Sequence, residues 1–342
     1  MHMADALISP AVGGTMWAAS ATLIAYSSKR VKGMLDDRMA PLMGVLGAFV
    51  FAAQMINFTI PGTGSSGHIG GGMILAILLG PYAAFLTIAS VLFVQALFFA
   101  DGGLLALGCN IFNLGFFPAM VAYPLVYRSI AGKPTQRRIV LGSVLSAVIG
   151  LQLGAFCVVL QTSLSHVAAL SFTSFVLLMQ PIHLAIGFVE GLVTAAVVLF
   201  TWKARPEILE PARAEESNTG YSMRRVSAVL VLTAILLAGF VTWFASSHPD
   251  GLEWALSRLT GKERVEARDE GSDGFFASIQ DKTALLPDYH FKEGQVEQEK
   301  SGEWPGVDPA NSASGLIGGA MTLAMALLIG LALKKRKKRG QG

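Results

Sequence analysis

Charge is scarce in this chain: Asp, Glu, Lys and Arg make up 14% of its 342 residues, against 53% hydrophobic residues. Soluble domains carry about 25% charge, so the deficit excludes a water-soluble globule and indicates a chain written for lipid. Cysteine is scarcer still. Cys109 and Cys157 both lie in apolar runs, where a thiol packs as a small hydrophobe, and no disulfide framework is expected. The opening MHMADALISP lacks the basic n-region of a cleavable leader, and no small-residue cleavage site follows the first apolar run, so Met1 and His2 are expected to be kept.

Nucleotide-binding motifs are missing too, although the loop GTGSSGHIGGG (62–72) imitates two of them. Gly62, Gly64 and Gly67 fit G-x-G-x-x-G, but an apolar helix precedes them where a dinucleotide fingerprint needs a strand. The same stretch mimics a phosphate-binding loop, yet His68 stands where the Lys must be and Ile69 where the Mg²⁺-binding hydroxyl must be. The chain therefore has no ATPase of its own. What the glycines do supply is a backbone without bulk around one imidazole, open to close approach by another segment.

Long apolar runs are what the sequence has in quantity. Stretches of the length that crosses a bilayer occur at 12–28, 40–58, 104–127, 139–162, 182–202, 226–245 and 314–333. The thirty apolar residues at 70–99 are too long for one upright helix, and Gly80-Pro81 predicts two helices turning there. Basic residues cluster at 29–38, 128–138, 203–225 and in KKRKKR at 334–339, holding 19 of the 26 Lys and Arg residues. These are the cytoplasmic segments by the positive-inside rule. The stretch 246–313 holds the other seven together with 14 of the 23 acidic residues, so it belongs outside. Parity then works for nine spans, with the N-terminus and the 59–70 loop outside and the C-terminal tail in the cytoplasm of a bacterial inner membrane. The expected fold is an all-α polytopic membrane protein: a seven-helix bundle over 1–203, a cytoplasmic linker over 204–225, and at 226–342 two further transmembrane helices flanking an acidic extracytoplasmic loop. The composition of that loop is compatible with a small ordered element and with disorder alike.

Met1-His2 offers three nitrogens in succession: the terminal amine, the His2 amide if deprotonated, and the imidazole Nδ1, closing fused five- and six-membered chelate rings. His68, on the same side of the membrane by parity, would supply a fourth. An all-nitrogen tetragonal set favours Ni(II) or Cu(II) over Zn(II), Mg(II) or Mn(II). Protons should compete, because an α-amine ordinarily titrates near 7.7–8.0 and imidazoles near 6.5, so binding is expected to weaken below about pH 6.

Three segments carry a family resemblance: MHMADALISP; SSGHIGGGMILAILLGPYAAFLTIASVLFVQALFFADGGLLALGCNIFNLG at 65–115; and IHLAIGFVEGLVTAAV at 182–197. Over residues 1 to about 203 the chain resembles the CbiM/NikM family, the metal-binding substrate-specific (S) components of energy-coupling-factor (ECF) transporters. The resemblance implies an S-component bundle with metal on the Met1 amine, the His2 amide and imidazole, and the loop imidazole His68. It also implies a transmembrane coupling (T) subunit and cytoplasmic ATPase (A) subunits as partners beside the lipid bilayer, with no nucleic acid. Cobalt-type members carry a cysteine-containing loop, whereas SSGHIGGG is similar to the nickel type, so Ni²⁺ is the implied cargo and Co²⁺ the alternative. The C-terminal part resembles the N-type component, with HPDGLEWAL (248–256) matching its PDGLE motif.

Other polar residues have plainer readings. Asp101, beside Gly102-Gly103 at a helix end, is expected to cap or anchor its loop; Glu190 is expected to pair with His183, seven residues earlier on one helix face. Gln54, Asn57, Gln95, Asn110 and Asn113 are candidates to orient the histidines, Asn57 first among them, since a bound imidazole gives its second N–H to an outer acceptor. Gly14, Ala18, Ala21 and Ala25 form a small-residue stripe suited to packing within the chain or against a partner helix. His166 and His248 read as surface residues, and His290 has no partner at ligand spacing. The chain is expected to catalyse no covalent chemistry. An autonomous cation channel or secondary metal transporter would need more intramembrane charge than the first module holds. A membrane metalloenzyme would need a general base, for which only Asp5 lies close in sequence.

Overall fold

The computed structural model describes residues 2–34, 38–167, 170–209, 223–263, 272–292 and 305–339. Helices follow the apolar runs. α1 (Pro10–Met34) opens on a proline, whose missing N–H is no loss at a first helical position. α2 (Met39–Gln54), α3 (Gly72–Leu79) and α4 (Pro81–Phe99) form the buried centre, with every residue of α3 enclosed. Gly80, at φ +77, ends α3 in a conformation that side chains disfavour, and Pro81 starts α4, as the dipeptide predicts. Leu107–Ala131 is one rod made of α5 (Leu107–Ile111), a wide π-helical stretch (Phe112–Tyr127) and α6 (Arg128–Ala131). Pro118 and Pro124 lie inside the wide stretch, where their missing donors interrupt the regular α ladder.

α7 (Gln136–Ser165) and α8 (Phe172–Ala204) pack as an antiparallel pair, capped by the side chains of Thr135 and Ser171. α8 begins well before the expected residue 182, at Phe172, with the apolar run Phe175–Met179 in its first turns, and Pro181 is carried inside. α2 stops short of the expected 58. Phe58–Ile60 (β1) leaves it to pair antiparallel with Ser65–Gly67 (β2), Phe58 opposite Gly67 and Ile60 opposite Ser65. Gly62 (φ +77) and Gly64 (φ +76) make the turn between them. The all-α expectation is thus amended by one hairpin, and that hairpin delivers His68.

Among the described residues, five helices are long and apolar enough to cross a bilayer: Pro81–Phe99, Leu107–Ala131, Gln136–Ser165, Phe172–Ala204 and Pro309–Lys335. The chain is a multi-pass membrane protein. Its C-terminal part supplies α9 (Met223–Gly239), α10 (Gly251–Thr260), α11 (Ser272–Thr283) and α12 (Pro309–Arg339). The acidic stretch 246–313 is therefore helical over α10 and α11, while 264–271 and 293–304, like most of the linker, lie outside the described residues.

Glycines let α12 lie close along α2. A Cβ on Gly318 would fall 2.0 Å from the Phe51 ring, and one on Gly330 would fall 2.6 Å from Ala40 Cβ. Without a hydrophobic drive between helices in lipid, such backbone approach is a main source of attraction. Gly318→Leu is expected to destabilise the docked α12 by about 1–3 kcal/mol, measurable as a lower thermal midpoint in detergent.

Candidate metal centre

The segment before α1 is threaded into a slot beside the α4–α5 connection. Met3, fully buried, donates its amide to Asn110 Oδ1 (2.8 Å), and its carbonyl accepts from Asn110 Nδ2 (3.2 Å) and the Gly103 amide (2.9 Å). Two residues on, Asp5 Oδ1 accepts from the Ala106 amide (2.9 Å). The slot exists because Gly103 has no side chain: a Cβ there would sit 1.8 Å from Asp5 Oδ1 and 2.4 Å from Asp5 N. Asn110, one of five orienting candidates, thus acts on the backbone next to His2. Asp5, the only base a metalloenzyme reading offered, has an oxygen engaged in holding the loop.

The hairpin brings His68 to the same place. The glycine loop behind it is held from two sides: Gln54 Nε2 donates to the Gly70 carbonyl (2.8 Å) and itself accepts from Gln95 Nε2 (2.8 Å). From the other side the two oxygens of Glu190 accept from the Gly70 (2.8 Å) and Gly71 (3.0 Å) amides. Gly71, at φ +74, has Val50 Cγ1 2.4 Å from where a Cβ would lie. This corrects the expected Glu190–His183 pair. His183 Nδ1 instead lies 2.8 Å from the Met179 carbonyl, and its Nε2 is buried without a partner, because backbone amides in low dielectric outbid a neutral ring for a carboxylate.

The His2 and His68 rings lie nearly parallel, 9° apart, with centroids separated by 5.2 Å. Two imidazoles sharing one cation at about 2.0–2.1 Å per nitrogen have centroids roughly 4.5 Å apart when adjacent and roughly 6.4 Å apart when opposite. The observed spacing falls between these limits. His68 Nδ1 lies 3.1 Å from the Ile69 carbonyl; as a donor there, it leaves Nε2 as the lone-pair nitrogen. His2 Nδ1 lies 3.2 Å from Asp101 Oδ1, and its Nε2 is buried with no hydrogen-bond partner. Met1 lies outside the described residues. Asn57, the first choice for an orienting residue, accepts the Ser246 amide on its backbone oxygen (2.7 Å), and its side-chain oxygen is unpartnered. Asn57 therefore bonds to Ser246 rather than to either histidine, and Asp101 is the carboxylate beside the His2 ring. Among the described residues, no group of three His, Cys, Asp or Glu side chains is set to hold a metal.

The C-terminal part covers this centre from two directions. His248 and Pro249 offer their carbonyls to Ser66 on β2, at 2.7 Å from its Oγ and 2.8 Å from its amide. Asp250 caps α10 by accepting from the Leu252 and Glu253 amides, and Glu253 returns the bond to the Asp250 amide. Gly251 admits the helix start against the core: a Cβ would meet Ile182 at 2.7 Å and His183 at 3.1 Å. Each letter of Pro-Asp-Gly-Leu-Glu thus has a physical task, Leu252 being buried. Between them, His68, His183, Asp250, Gly67, Gly70 and Gly251 wall a cavity of about 10 Å³, near the room one water needs. On the other side, Tyr289 donates its phenol to Asp101 Oδ2 (2.5 Å). His290, without a sequence partner, meets Asp308 at 3.3 Å, and His166 and His248 are exposed as expected.

Burial is the main cause that holds the His68 imidazole down to about 3, and the nearby His2 ring adds to it. The expected proton competition below pH 6 is therefore corrected for this residue, which stays neutral far below that. In the unfolded chain the same ring binds a proton near 6.5, so the folded state binds fewer protons between about 6.5 and 3. Stability present at neutral pH is lost as pH falls through that window, by up to a few kcal/mol. His68→Gln is expected to flatten the pH dependence of unfolding from pH 6.5 downward; an unchanged slope would contradict this.

Fold and site together define a multi-pass helical membrane protein in which the imidazole of the N-terminal segment stacks on that of a braced loop. The pattern of a family described as cobalt uptake substrate-specific transmembrane region matches residues 2–208, and that of a PDGLE domain matches 224–335. A chain of Archaeoglobus fulgidus provisionally named fused nickel transport protein NikMN is 31% identical over 335 residues, covering 98% of both chains. The fused nickel transport protein NikMN of Rhodobacter capsulatus is 31% identical over 309 residues, 84% of this chain and 88% of that one. A crystal structure of a transition metal transporter superposes with a TM-score of 0.55 at 30% identity, over 64% of this chain and all of that one. The chain belongs to the CbiM family, carrying a PDGLE domain behind the CbiM region. It is a substrate-specific membrane component of metal uptake, not an enzyme.

Proposed function

We propose that this chain is the substrate-capture subunit of an ATP-driven ECF-type importer, binding Ni²⁺, with Co²⁺ as the alternative cargo. The ligands in this reading are the Met1 amine, the His2 amide and imidazole, and His68. The observation that carries it is the meeting of His2 and His68, 66 residues apart in sequence, with ring centroids 5.2 Å apart. Four nitrogens suit a tetragonal cation such as Ni²⁺. Nickel is also the metal in the names of the two relatives that span most of the chain, although the family description speaks of cobalt.

In this reading the bundle over 1–203 has seven spans, the linker over 204–225 is cytoplasmic, and 226–342 adds two spans. The N-terminus and the α10–α11 region face outward, and KKRKKR lies in the cytoplasm of the inner membrane. Release inward depends on a coupling subunit and ATPase subunits. The stripe Gly14, Ala18, Ala21 and Ala25 supports such a partner, since all four are exposed and, among the described residues, no other element comes within 4 Å of a Cβ on Gly14. Proton competition in this site falls chiefly on the α-amine and the amide, which must lose protons to bind.

One residue added before Met1 is the decisive change, because it moves the amine out of chelate register while leaving every side chain in place. Binding of Ni²⁺ by the purified chain, measured by equilibrium dialysis, should fall to background. Stoichiometric retention would exclude the N-terminal chelate.

A further inference from the structure

Resting on the ligand set just proposed, we infer that Glu190 on α8 is a positioning residue for His68, acting on its ring through the Ile69–Gly70 peptide group. That single group carries both halves of the contact. Its carbonyl, that of Ile69, lies 3.1 Å from His68 Nδ1, and its N–H, that of Gly70, donates to Glu190 Oε2 at 2.8 Å. The next peptide group is held likewise: the Gly71 amide donates to Glu190 Oε1 (3.0 Å), and the Gly70 carbonyl accepts from Gln54 Nε2 (2.8 Å). A peptide group is planar, so fixing the Gly70 N–H fixes the direction of the Ile69 carbonyl. The ligand set takes one nitrogen from His68, and this carbonyl decides which: Nδ1 carries the proton and Nε2 keeps the lone pair for the cation. Hydrogen bonds in a line polarise one another, so engaging the N–H also makes the carbonyl a better acceptor for the ring.

A carboxyl group within a membrane helix is costly, and α8 is shaped to deliver this one. Glu190 is buried, with 1% of its surface exposed. Gly187 and Gly191 lie on either side of it in sequence and bring α8 against α7: a Cβ at these positions would fall 2.9 Å from Val148 Cα and 2.5 Å from Val144 Cα. Such close backbone approach sets the rotation of α8 about its axis, and with it the direction of the carboxyl. On the loop side, a Cβ on Gly70 would lie 3.1 Å from Leu114 Cδ2 and 3.3 Å from Glu190 Oε2, and one on Gly72 would lie 2.6 Å from the Leu114 carbonyl. The glycine run therefore fits between α8 and the wide helical stretch with no side chain of its own between its amides and the carboxyl. Gln54 also braces this loop, but its bond ends on the Gly70 carbonyl, which belongs to the peptide group after the one the ring meets. The two braces thus have different tasks. Gln54 holds the loop in place, and Glu190 also sets the ring.

Glu190→Gln keeps the size of the side chain but can accept from one loop amide only, its NH₂ facing the other donor to donor. The Ni²⁺ affinity of the full chain should fall about tenfold, the low end of what losing a partner behind a bound histidine costs. In the metal-free chain labelled with ¹⁵N-histidine, nuclear magnetic resonance should show His68 protonated on Nδ1 alone in wild type and as a mixture of both tautomers in Glu190→Gln. The signal missing from His68→Ala assigns it. Gln54→Met, which loosens the loop without touching the Ile69–Gly70 group, should keep the wild-type tautomer. Wild-type affinity or an unchanged tautomer in Glu190→Gln would overturn the inference while leaving the ligand set intact. A mixture in Gln54→Met would overturn it too, because loosening alone would then move the ring. Should Glu190→Gln fail to fold, Glu190→Met, which withdraws both acceptors without presenting a donor, is judged by the same two readouts. Ni²⁺ binding that survives His68→Ala would instead remove the ligand set, and the positioning role with it, whatever the tautomer.

Discussion

His2→Ala is expected to lower the affinity for Ni²⁺ by more than about 100-fold, since losing only an outer partner of a bound histidine already costs 10–100-fold. The substitution removes one imidazole from the pair and breaks the six-membered ring of the proposed chelate. It leaves the seat of the segment alone: the hydrogen bonds that hold it run from the backbone of Met3 to Asn110 and Gly103. The variant should therefore fold and insert as wild type does, and isothermal titration would read the loss as a binding effect. His166→Ala, on an exposed residue, should bind as wild type. His68→Ala should match His2→Ala in effect; if either variant kept near-normal affinity, the paired-imidazole site would be wrong.

Gly103→Ala is expected to damage binding almost as much without touching a ligand. Its new methyl group would collide with the backbone and carboxylate of Asp5 at 1.8–2.4 Å, so the N-terminal segment must lift from its slot. Overpacking of this kind costs about 1–3 kcal/mol, equivalent to roughly 5- to 150-fold in an equilibrium constant. Because the strain falls on seating the segment, it should appear in metal affinity more than in the cooperative unfolding of the bundle. Gly14→Ala, where a Cβ meets no other element within 4 Å among the described residues, is the matched control. Unaltered Ni²⁺ affinity in Gly103→Ala would mean that the seat observed for residues 3–5 does not govern the site.

Much of the fold could be read from the sequence because helices in lipid announce themselves by length and apolarity. Gly80-Pro81 marked the α3–α4 break in the same way, through backbone rules that act locally. The hairpin at 58–67 was hidden, since its strands are three residues long and the second, Ser65–Gly67, has no alternating apolar pattern. His2 and His68 were legible as candidates because imidazoles at a chain start and in a glycine loop invite a chemical question. Their supports were not. Asp101 looked like a cap, and only the threading of residues 2–5 past it makes it the partner of His2. Glu190 gave the right sense that a buried carboxylate needs a partner, but helical spacing pointed to His183 when the amides of Gly70 and Gly71 were nearer. Tyr289 carried no signal at all, lying 188 residues from the carboxylate it reaches. The PDGLE letters were legible as a motif yet not as a mechanism, because a capping box is local but the surface it caps against is not.

Capture of the cation requires nitrogen donors from the chain start and from the loop after the hairpin to meet at one ion, and optical and magnetic titration of the purified full chain tests this directly. One equivalent of Ni²⁺ should produce a diamagnetic complex with the ligand-field band of a square-planar all-nitrogen set, lost in His2→Ala and in His68→Ala. A paramagnetic six-coordinate spectrum, unaffected by either substitution, would contradict it.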